Sequence, residues 1–150
     1  MVYVGTSLFS LFGLSGSSPV ASILHNELKE VELHWEWKVW STSSTPAARF
    51  MAPAKVYGTK IYVFGGATSS DGAGVLNDFH VLDTAGGASA SSWTQLSADL
   101  GSTSPSRRHS AGLAIVTGGI PWLVGGVEGN SAIVMGEFGK LLIFVKGFGM

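Results

Sequence analysis

The chain contains no cysteine among its 150 residues. Disulfide bonds, zinc sites built on thiolates and cysteine nucleophiles are therefore excluded as sources of stability or chemistry. The lack of cysteine does not indicate a compartment, because it is compatible with both the cytosol and secretion.

Charge is scarce as well. Charged residues make up 13% of the chain, against roughly 25% in an average soluble domain. The net charge is −1, a field too weak to attract a polyanion, so we expect no nucleic-acid partner. A hydrophobic share of 45% together with 21 glycines favours short strands separated by turns.

Apolar runs long enough for a membrane-spanning helix are missing too. Residues 2–14 are apolar and faintly resemble a secretory signal, but no Lys or Arg precedes them. The apolar tail 141–150 is too short to cross a bilayer of about 30 Å. We therefore expect neither a membrane span nor a membrane partner; the compartment stays open, with the cytoplasm slightly favoured.

One pattern is present twice. An apolar strand candidate ends in Gly65-Gly66, and a second one ends in Gly125-Gly126, 60 positions later. Each is preceded by a Pro-x-x-Arg element, at 46–49 and at 105–108, which lie 59 positions apart. Two unrelated signals that keep nearly the same offset predict structural repeats in a stacked or radial arrangement.

The first part of the chain carries a strand pattern and a helix pattern. Over 31–39 apolar and polar side chains alternate, which predicts a strand with Trp37 and Val39 on its buried face. Before it, apolar residues recur at helical spacing, with Ser18 as N-cap and Pro19 as the first helical residue. We therefore expect a short helix over 19–29. A strand is the alternative there, because pairing in the folded protein can override the pattern.

Downstream, the alternation and the turn residues predict four consecutive short strands. They lie at 49–56, 61–64, 77–82 and 93–96. We expect them to form one antiparallel sheet with Trp93 as the aromatic anchor of its last strand. The cycle then begins again at Arg108, with strands at 111–116 and 120–126.

The order of these elements resembles that of kelch repeats, in which an apolar strand ending in Gly-Gly leads through an Asn-Asp strand, an Asp turn and a Trp to a Pro-x-x-Arg junction. The residues that carry the resemblance are Arg49, Gly65, Gly66, Asn77, Asp78, Asp83, Trp93, Arg108, His109, Gly125 and Gly126. The resemblance covers about 34–127. It implies an all-β fold, a kelch-type β-propeller fragment of two to three four-stranded antiparallel blades.

The chain also departs from the kelch pattern. Phe50 stands where a histidine usually follows the first arginine, and after Gly126 no Asn-Asp strand, Asp turn or tryptophan follows. We therefore expect a kelch-repeat region at 30–127, flanked by an atypical N-terminal segment, 1–29, and an atypical apolar C-terminal segment, 128–150.

The chain, at 150 residues, is short for a closed propeller. A propeller has about four to eight blades, which require on the order of 200–300 residues. A stack that does not close leaves apolar blade faces exposed, which favours self-association. We expect the chain to be part of a longer protein; the alternatives are assembly from several copies and a small open stack with unusual ends.

Several residue types could serve a ligand, and each also has a structural interpretation. Arg49, Arg108 and His109 could line a binding channel, but their repeated positions favour a structural role at blade junctions. Asp78 and His80 share a strand face without Asp83, too few ligands for a metal site. His34 with Glu36 is a conceivable acid–base pair, and the five tryptophans a conceivable carbohydrate platform; a solvated face and core packing are the commoner explanations.

We therefore expect a non-catalytic protein–protein interaction module without catalytic, cofactor-binding or metal-binding residues, in which loops such as 67–75 and 84–92 contact a protein partner. The alternative is a fragment of a propeller enzyme that acts on carbohydrate or another small molecule, with its catalytic residues elsewhere. The resemblance includes copper-radical oxidases built on kelch-type propellers, which depend on a cysteine. Because the chain has no cysteine, that activity is excluded. No cofactor is expected.

Overall fold

The chain folds as β-sheets stacked face against face, each built from strands that follow one another in sequence. The computed structural model describes residues 1–27, 36–69, 71, 73–96, 105–128 and 131–132. The structure of this part of the chain confirms the all-β prediction, and no helix in it is long and apolar enough to span a membrane.

Sheet 1 contains the strands β1 (Val2–Val4), β2 (Ser7–Ser15), β3 (Ser18–Glu27) and β4 (Lys38–Val39). Sheet 2 contains β5 (Ala54–Tyr57), β6 (Lys60–Phe64), β7 (Phe79–Asp83) and β8 (Trp93–Gln95). Both have the spatial order first, second, third, fourth, and all their neighbouring strands are antiparallel. One turn of 3-10 helix, Ala88–Ala90, lies between β7 and β8.

Sheet 3 is the antiparallel hairpin of β9 (Gly112–Val116) and β10 (Ile120–Val124). A separate two-stranded ladder follows, formed by β11 (Val127–Glu128) and β12 (Ser131–Ala132). The predicted strands at 111–116 and 120–126 are thus present, slightly shortened.

The predicted helix over 19–29 is wrong, and its strand alternative is what the structure shows. β3 pairs with β2 from Ser15 opposite Ser18 to Ser7 opposite Glu27. The hairpin turns at Gly16, which has a φ of 62° at the first central position, where type II′ turns place glycine. Backbone pairing along the whole of β3 outweighs a helical spacing of apolar residues, because short isolated helices are only marginally stable.

Two further strand predictions need correction. Of the alternating segment 31–39, residues 31–35 lie outside the described residues, and only Lys38–Val39 forms a strand. Trp37 and Val39 were expected to be buried, but they are 41% and 68% exposed, because they lie on the side of sheet 1 that faces away from sheet 2. The strand expected from Arg49 begins only at Ala54, since Met51 has a φ of 54° and interrupts the extended backbone.

Two apolar clusters hold the stack together. The first joins Phe9 and Ile23 of sheet 1 to the face of sheet 2 that carries Ile61, Leu82 and Trp93. The second joins the opposite face of sheet 2 to sheet 3, and its buried members are Phe64, Phe79 and Leu123. Each fully buried apolar side chain contributes about 1.5–3 kcal/mol. Sheet 2 therefore packs on both faces, as a blade does inside a propeller.

The ends of sheet 2 differ in what they carry. The turn end has the tight turn Gly58-Thr59 and the β7–β8 connection 84–92, which are joined by a hydrogen bond from the Thr84 backbone N to the Thr59 carbonyl O of 3.0 Å. The junction end has the Gly65-Gly66 pair, the β6–β7 loop 67–75 and the crossings between sheets. The kelch-type motifs gather at the junction end.

Candidate functional site: the arginine junctions between blades

Arg49 is the centre of the junction between sheets 1 and 2. Its side chain is fully buried, and its guanidinium donates to both carboxylate oxygens of Asp78, from Nη1 to Oδ1 at 2.7 Å and from Nη2 to Oδ2 at 2.8 Å. Nη1 also donates to the Gly65 carbonyl O at 2.9 Å, and Nε to the Ala47 carbonyl O at 3.0 Å. A planar fork of donors suits this combination of a bidentate carboxylate and two carbonyls.

Asp78 is shared between Arg49 and His80. His80 Nε2 donates to Asp78 Oδ2 at 2.7 Å, and the buried imidazole meets the Trp93 ring edge to face, with centroids 6.4 Å apart. Burial alone would raise the pKa of the Asp78 carboxyl, but the hydrogen bonds and positive charge of His80 and Arg49 outweigh it and hold the pKa far below its ordinary value of 3.8. Asp78 is thus ionised at neutral pH and neutralises the buried guanidinium.

Arg108 repeats this arrangement at the next junction. Its Nε donates to the Ser106 carbonyl O at 3.1 Å and its Nη1 to the Gly125 carbonyl O at 2.9 Å. These bonds match those of Arg49 to Ala47 and Gly65. The difference is Nη2, which donates to Ser106 Oγ at 2.8 Å where Arg49 meets a carboxylate.

The backbone beside each arginine repeats as well. Phe50 and Ala67 exchange two N–H···O=C bonds of 3.0 Å, while His109 and Val127 exchange bonds of 3.0 and 2.9 Å. Phe50 and His109 therefore form equivalent backbone hydrogen bonds, although their side chains differ. The departure from the kelch pattern at Phe50 leaves the junction intact because the contact runs through the main chain.

The glycine pairs let the sheets approach closely. Gly65 has a φ of 56°, and a Cβ built on it would lie against the Arg108 carbonyl O and 2.8 Å from the Leu76 carbonyl O. Gly66 N donates to the same Arg108 carbonyl at 3.0 Å. Only glycine combines this backbone conformation with the space that the neighbouring junction occupies. Gly125 and Gly126 have similar φ values of 64° and 106°.

Sheet 1 contains an equivalent pair that the sequence analysis missed. Phe12 and Gly13, 53 positions before Gly65-Gly66, have φ values of 56° and 130°, and Gly13 N donates to the Arg49 carbonyl O at 3.0 Å. That bond is the counterpart of the one from Gly66 to Arg108. Leu11-Phe12-Gly13, read as a degenerate copy of Phe64-Gly65-Gly66, could have revealed it. The division into segments 1–29, 30–127 and 128–150 stays a prediction, but the first segment contributes three strands to a blade-like sheet.

Phe12 lies where the other pairs have glycine, in a left-handed backbone conformation that disfavours side chains. Its ring makes two aromatic contacts. The ring lies 5.6 Å from the Arg49 guanidinium carbon and 5.7 Å from the Trp93 ring. Cation–π attraction and aromatic packing of this kind each contribute about 0.5–1.5 kcal/mol, which offsets the strain of a left-handed residue.

The remaining predicted residues lie apart from this cluster. Asn77 is exposed, and Asp83 lies at the turn end, where its Oδ1 accepts from Thr59 Oγ1 and from the Ala85 backbone N, both at 3.0 Å. The structure thus brings Asp78 and His80 together without Asp83. Within the described ranges no three His, Asp or Glu side chains are placed to hold a metal ion. His34, of the acid–base hypothesis, lies outside the described residues.

One pair of side chains has the appearance of a catalytic dyad. Ser110 Oγ lies 3.0 Å from His109 Nδ1, because a φ of 54° at Ser110 turns the backbone. Met51, 59 positions earlier, has the same φ of 54°, and its carbonyl O accepts from Ser110 N at 2.9 Å. The left-handed backbone therefore belongs to the repeat and is not evidence of a nucleophile.

Comparison with known proteins agrees with this geometry. The family model described as the KLHDC2/KLHL20/DRC7 Kelch-repeats domain matches residues 11–144. No curated protein matches the chain closely enough to be called a relative. The match begins within β2, so it includes the Phe12-Gly13 pair and the part of sheet 1 that follows it. With repeated arginine junctions, glycine pairs and stacked antiparallel sheets on the same residues, the chain belongs to the kelch-repeat family of β-propeller domains.

Proposed function

We propose that the chain is a non-catalytic protein-binding module that contacts its partner at the junction end. Membership of the kelch family supports a propeller-type interaction module in general. The observation that carries the non-catalytic part is the state of the reactive groups inside the stack: Arg49 donates to Asp78 and to backbone carbonyls, and His80 Nε2 donates to Asp78. Groups engaged in this way hold sheets together and are not directed at a substrate.

The described residues of the β6–β7 loop, 67–69, 71 and 73–75, are connected by hydrogen bonds within the loop. Thr68 donates to the Gly74 carbonyl O from both its backbone N and its Oγ1, each at 3.1 Å. At the tip, Asp71 Oδ1 accepts from Ser69 Oγ and from the Ala73 backbone N, the latter at 2.9 Å, and this hydrogen bonding lowers the pKa of Asp71. A loop closed by its own bonds loses little conformational entropy on binding.

An exposed apolar side chain lies beside this loop. Met51 is 55% exposed, and it follows Phe50, which pairs with Ala67 at the start of the loop. An acidic tip next to an apolar side chain suits a partner with a basic and apolar contact site. Loops carried on a rigid sheet are common positions for binding determinants.

The two loops that the sequence analysis considered together lie at opposite ends of sheet 2. The connection 84–92 is tied to Thr59 at the turn end, whereas 67–75 lies at the junction end. We therefore assign partner binding to 67–75, and 84–92 becomes a matched control on the same sheet.

The test replaces 68–75 with glycine and serine in one variant and 85–90 in another, and compares the proteins that each immobilised chain captures from cell extract. We expect the first replacement to remove partners that the wild-type chain retains, and the second to keep them. Retention of every partner by both variants would contradict the proposal. Circular dichroism of both variants checks that the sheets remain folded.

A further inference from the structure

We propose that His25 makes the attachment of β4 to sheet 1 depend on pH, so that protonation of this histidine releases β4 while the other strands of the stack stay paired. The inference is independent of the partner-binding loop, which lies at the junction end of sheet 2. It rests on side chains of the face of sheet 1 that packs on sheet 2.

β4 is the shortest strand of sheet 1 and lies at its edge. Its residues Lys38 and Val39 pair with β3, and one further backbone bond of 2.8 Å runs from Trp40 N to the Ile23 carbonyl O. Segments with few hydrogen bonds open locally at a lower free energy than the body of a protein. A small change in free energy can therefore release β4 before the longer hairpin β2–β3.

An aromatic cluster holds β4 in place, and His25 is its middle member. Phe9 lies directly opposite His25 on β2, and the two rings stack with centroids 6.0 Å apart. The Trp40 ring meets the imidazole edge to face at 4.7 Å and meets the Phe9 ring at 5.0 Å. Because Phe9 is buried against sheet 2, this cluster connects β4 to the first apolar cluster.

The cluster accommodates His25 as a neutral ring. His25 Nδ1 is buried and has no hydrogen-bond partner among the described residues. A neutral imidazole can leave this nitrogen unprotonated, whereas an imidazolium carries N–H on both nitrogens. Protonation would thus bury an unpaired donor and a positive charge beside apolar rings, which costs free energy. Burial accordingly lowers the pKa of His25.

Two charged side chains of β3 and β4 act on His25 in opposite directions. Burial has the largest effect on its pKa; Glu27, which is exposed, raises the pKa, and Lys38 lowers it. Lys38 lies directly opposite His25 in the strand pair, where like charges destabilise a sheet. Glu36 Oε2 lies 3.6 Å from Lys38 Nζ, but both side chains are largely exposed, so water screens this ion pair.

The remaining elements around His25 contribute mainly apolar groups. β2 provides Phe9, and the members of the first apolar cluster from sheet 2 surround it from the other side. The titratable side chain on that face of sheet 2 is His80, which shares the face with Leu82 and is hydrogen-bonded to Asp78. Its titration is common to every variant of the test below.

Acid weakens the attachment because the released strand favours the charged imidazole. With β4 detached, His25 is solvated and titrates near its ordinary value of 6.5, whereas in the closed sheet its pKa is lower. The attachment is therefore complete above about pH 6.5 and is lost as the pH falls through the pKa of the closed sheet.

The opening has a structural limit a few residues after β4. Ser43 N donates to the Ser91 carbonyl O at 3.2 Å, and Trp93 N donates to the Ser43 carbonyl O at 3.1 Å. These bonds attach the chain to the start of β8 independently of His25. Release should therefore stop between Trp40 and Ser43.

The test measures hydrogen exchange of single amides by NMR in the full chain between pH 7 and about pH 5, where glutamates remain mostly ionised. Each rate is divided by that of an unstructured chain at the same pH, which gives a protection factor. All proteins carry His34→Gln, so that this histidine does not titrate. His25→Gln cannot be protonated, Lys38→Gln removes the opposing charge, and His109→Gln is the control at the junction end.

We expect the protection of the Trp40 amide to fall about threefold on acidification in the parent chain and in His109→Gln, the scale of one like-charged cross-strand pair. Amides of β6 should keep their protection. His25→Gln should show no fall and Lys38→Gln a smaller one. The midpoint of the fall should coincide with the titration of the His25 ring signals.

Constant protection of Trp40 in the parent chain would overturn the proposal, and so would an equal fall in His25→Gln, because another group would then be responsible. A rise on acidification would contradict it as well, since the aromatic rings would then stabilise the imidazolium. If circular dichroism shows that His25→Gln does not fold, the two midpoints in the parent chain and the response of Lys38→Gln decide: separate midpoints, or an undiminished fall, would refute the role of His25.

Discussion

At the scale of single residues, the junction between sheets 1 and 2 depends on a charge that the fold can bury only because it is paired. Arg49 is without solvent contact, and Asp78 is its only carboxylate partner among the described contacts. Removing one member of a buried ion pair commonly costs about 3–5 kcal/mol, because the other charge is left uncompensated. Asp78 keeps some solvent contact, so the loss should fall near the lower part of that range.

The first prediction concerns Asp78→Asn and its dependence on pH. Because the folded-state pKa of Asp78 lies below its ordinary value of 3.8, the carboxylate contributes stability that is complete above that value and is lost as the pH falls below it. We expect Asp78→Asn to lower the free energy of unfolding by about 3 kcal/mol at pH 7. The difference from the wild type should shrink steadily below about pH 4.

Urea unfolding of both proteins between pH 7 and pH 2.5 or so measures this difference. His25, whose pKa is lowered by burial, titrates in both proteins and cancels in the comparison. A difference that stays constant with pH would show that Asp78 acts through shape alone and not through its charge.

At the scale of elements, the glycine pairs determine how closely one sheet approaches the next. In each pair the first glycine has a left-handed backbone. Gly65 and Gly125 have nearly the same φ, 56° and 64°. Their surroundings differ: the Cβ of an alanine at 65 would collide with backbone carbonyls, whereas at 125 it would meet no atom of the described residues within 4 Å. The two positions thus separate backbone strain from close approach.

The second prediction compares Gly65→Ala with Gly125→Ala. The variant at 125 should lose about 1–2 kcal/mol of unfolding free energy, the cost of a left-handed alanine. The variant at 65 should lose roughly 2 kcal/mol more, because an extra carbon forces packed backbone apart. Urea unfolding followed by tryptophan fluorescence measures both, and equal losses would contradict the role given to close approach.

Sequence reasoning located the elements whose signals are local. The strand before Gly65-Gly66, the turn at Gly58-Thr59 and the hairpin β9–β10 follow from alternation and turn residues. β3 could not be found in this way, because its helical spacing of apolar residues yields to pairing with β2, a contact between segments that the pattern does not encode. Phe12 hid the first glycine pair, since only its φ shows that it occupies a glycine position.

The site was predictable to the same extent. The offset of 59 between Arg49 and Arg108 indicated a repeated junction, and the structure places both side chains on the carbonyl of the first glycine of a pair. The sequence could not show that Asp78 and His80 bond to each other and to Arg49, because that depends on how closely β7 approaches the segment that carries Arg49.

At the scale of the whole molecule, sheet 2 is the middle of a stack, and in the described part of the chain each sheet packs on the sheets next to it. Phe9 connects it to sheet 1 and Leu123 connects it to sheet 3, through two separate clusters on opposite faces. In such a stack, stability is a sum of sheet terms and interface terms, so damage at one interface should be felt most by the two sheets that share it.

The third prediction tests that coupling with Phe9→Ala and Leu123→Ala. Both side chains are buried, and truncating them should cost about 3–4 kcal/mol for Phe9 and somewhat less for Leu123. Amide hydrogen exchange should then show the largest loss of protection in β2, β3 and β6 for Phe9→Ala, with β9 and β10 less affected. For Leu123→Ala we expect the reverse gradient, with β9 and β10 most affected and β2 the least. If both variants lowered protection equally in every strand, the sheets would unfold as one cooperative unit, and the description of the molecule as a stack of neighbour-coupled blades would fail.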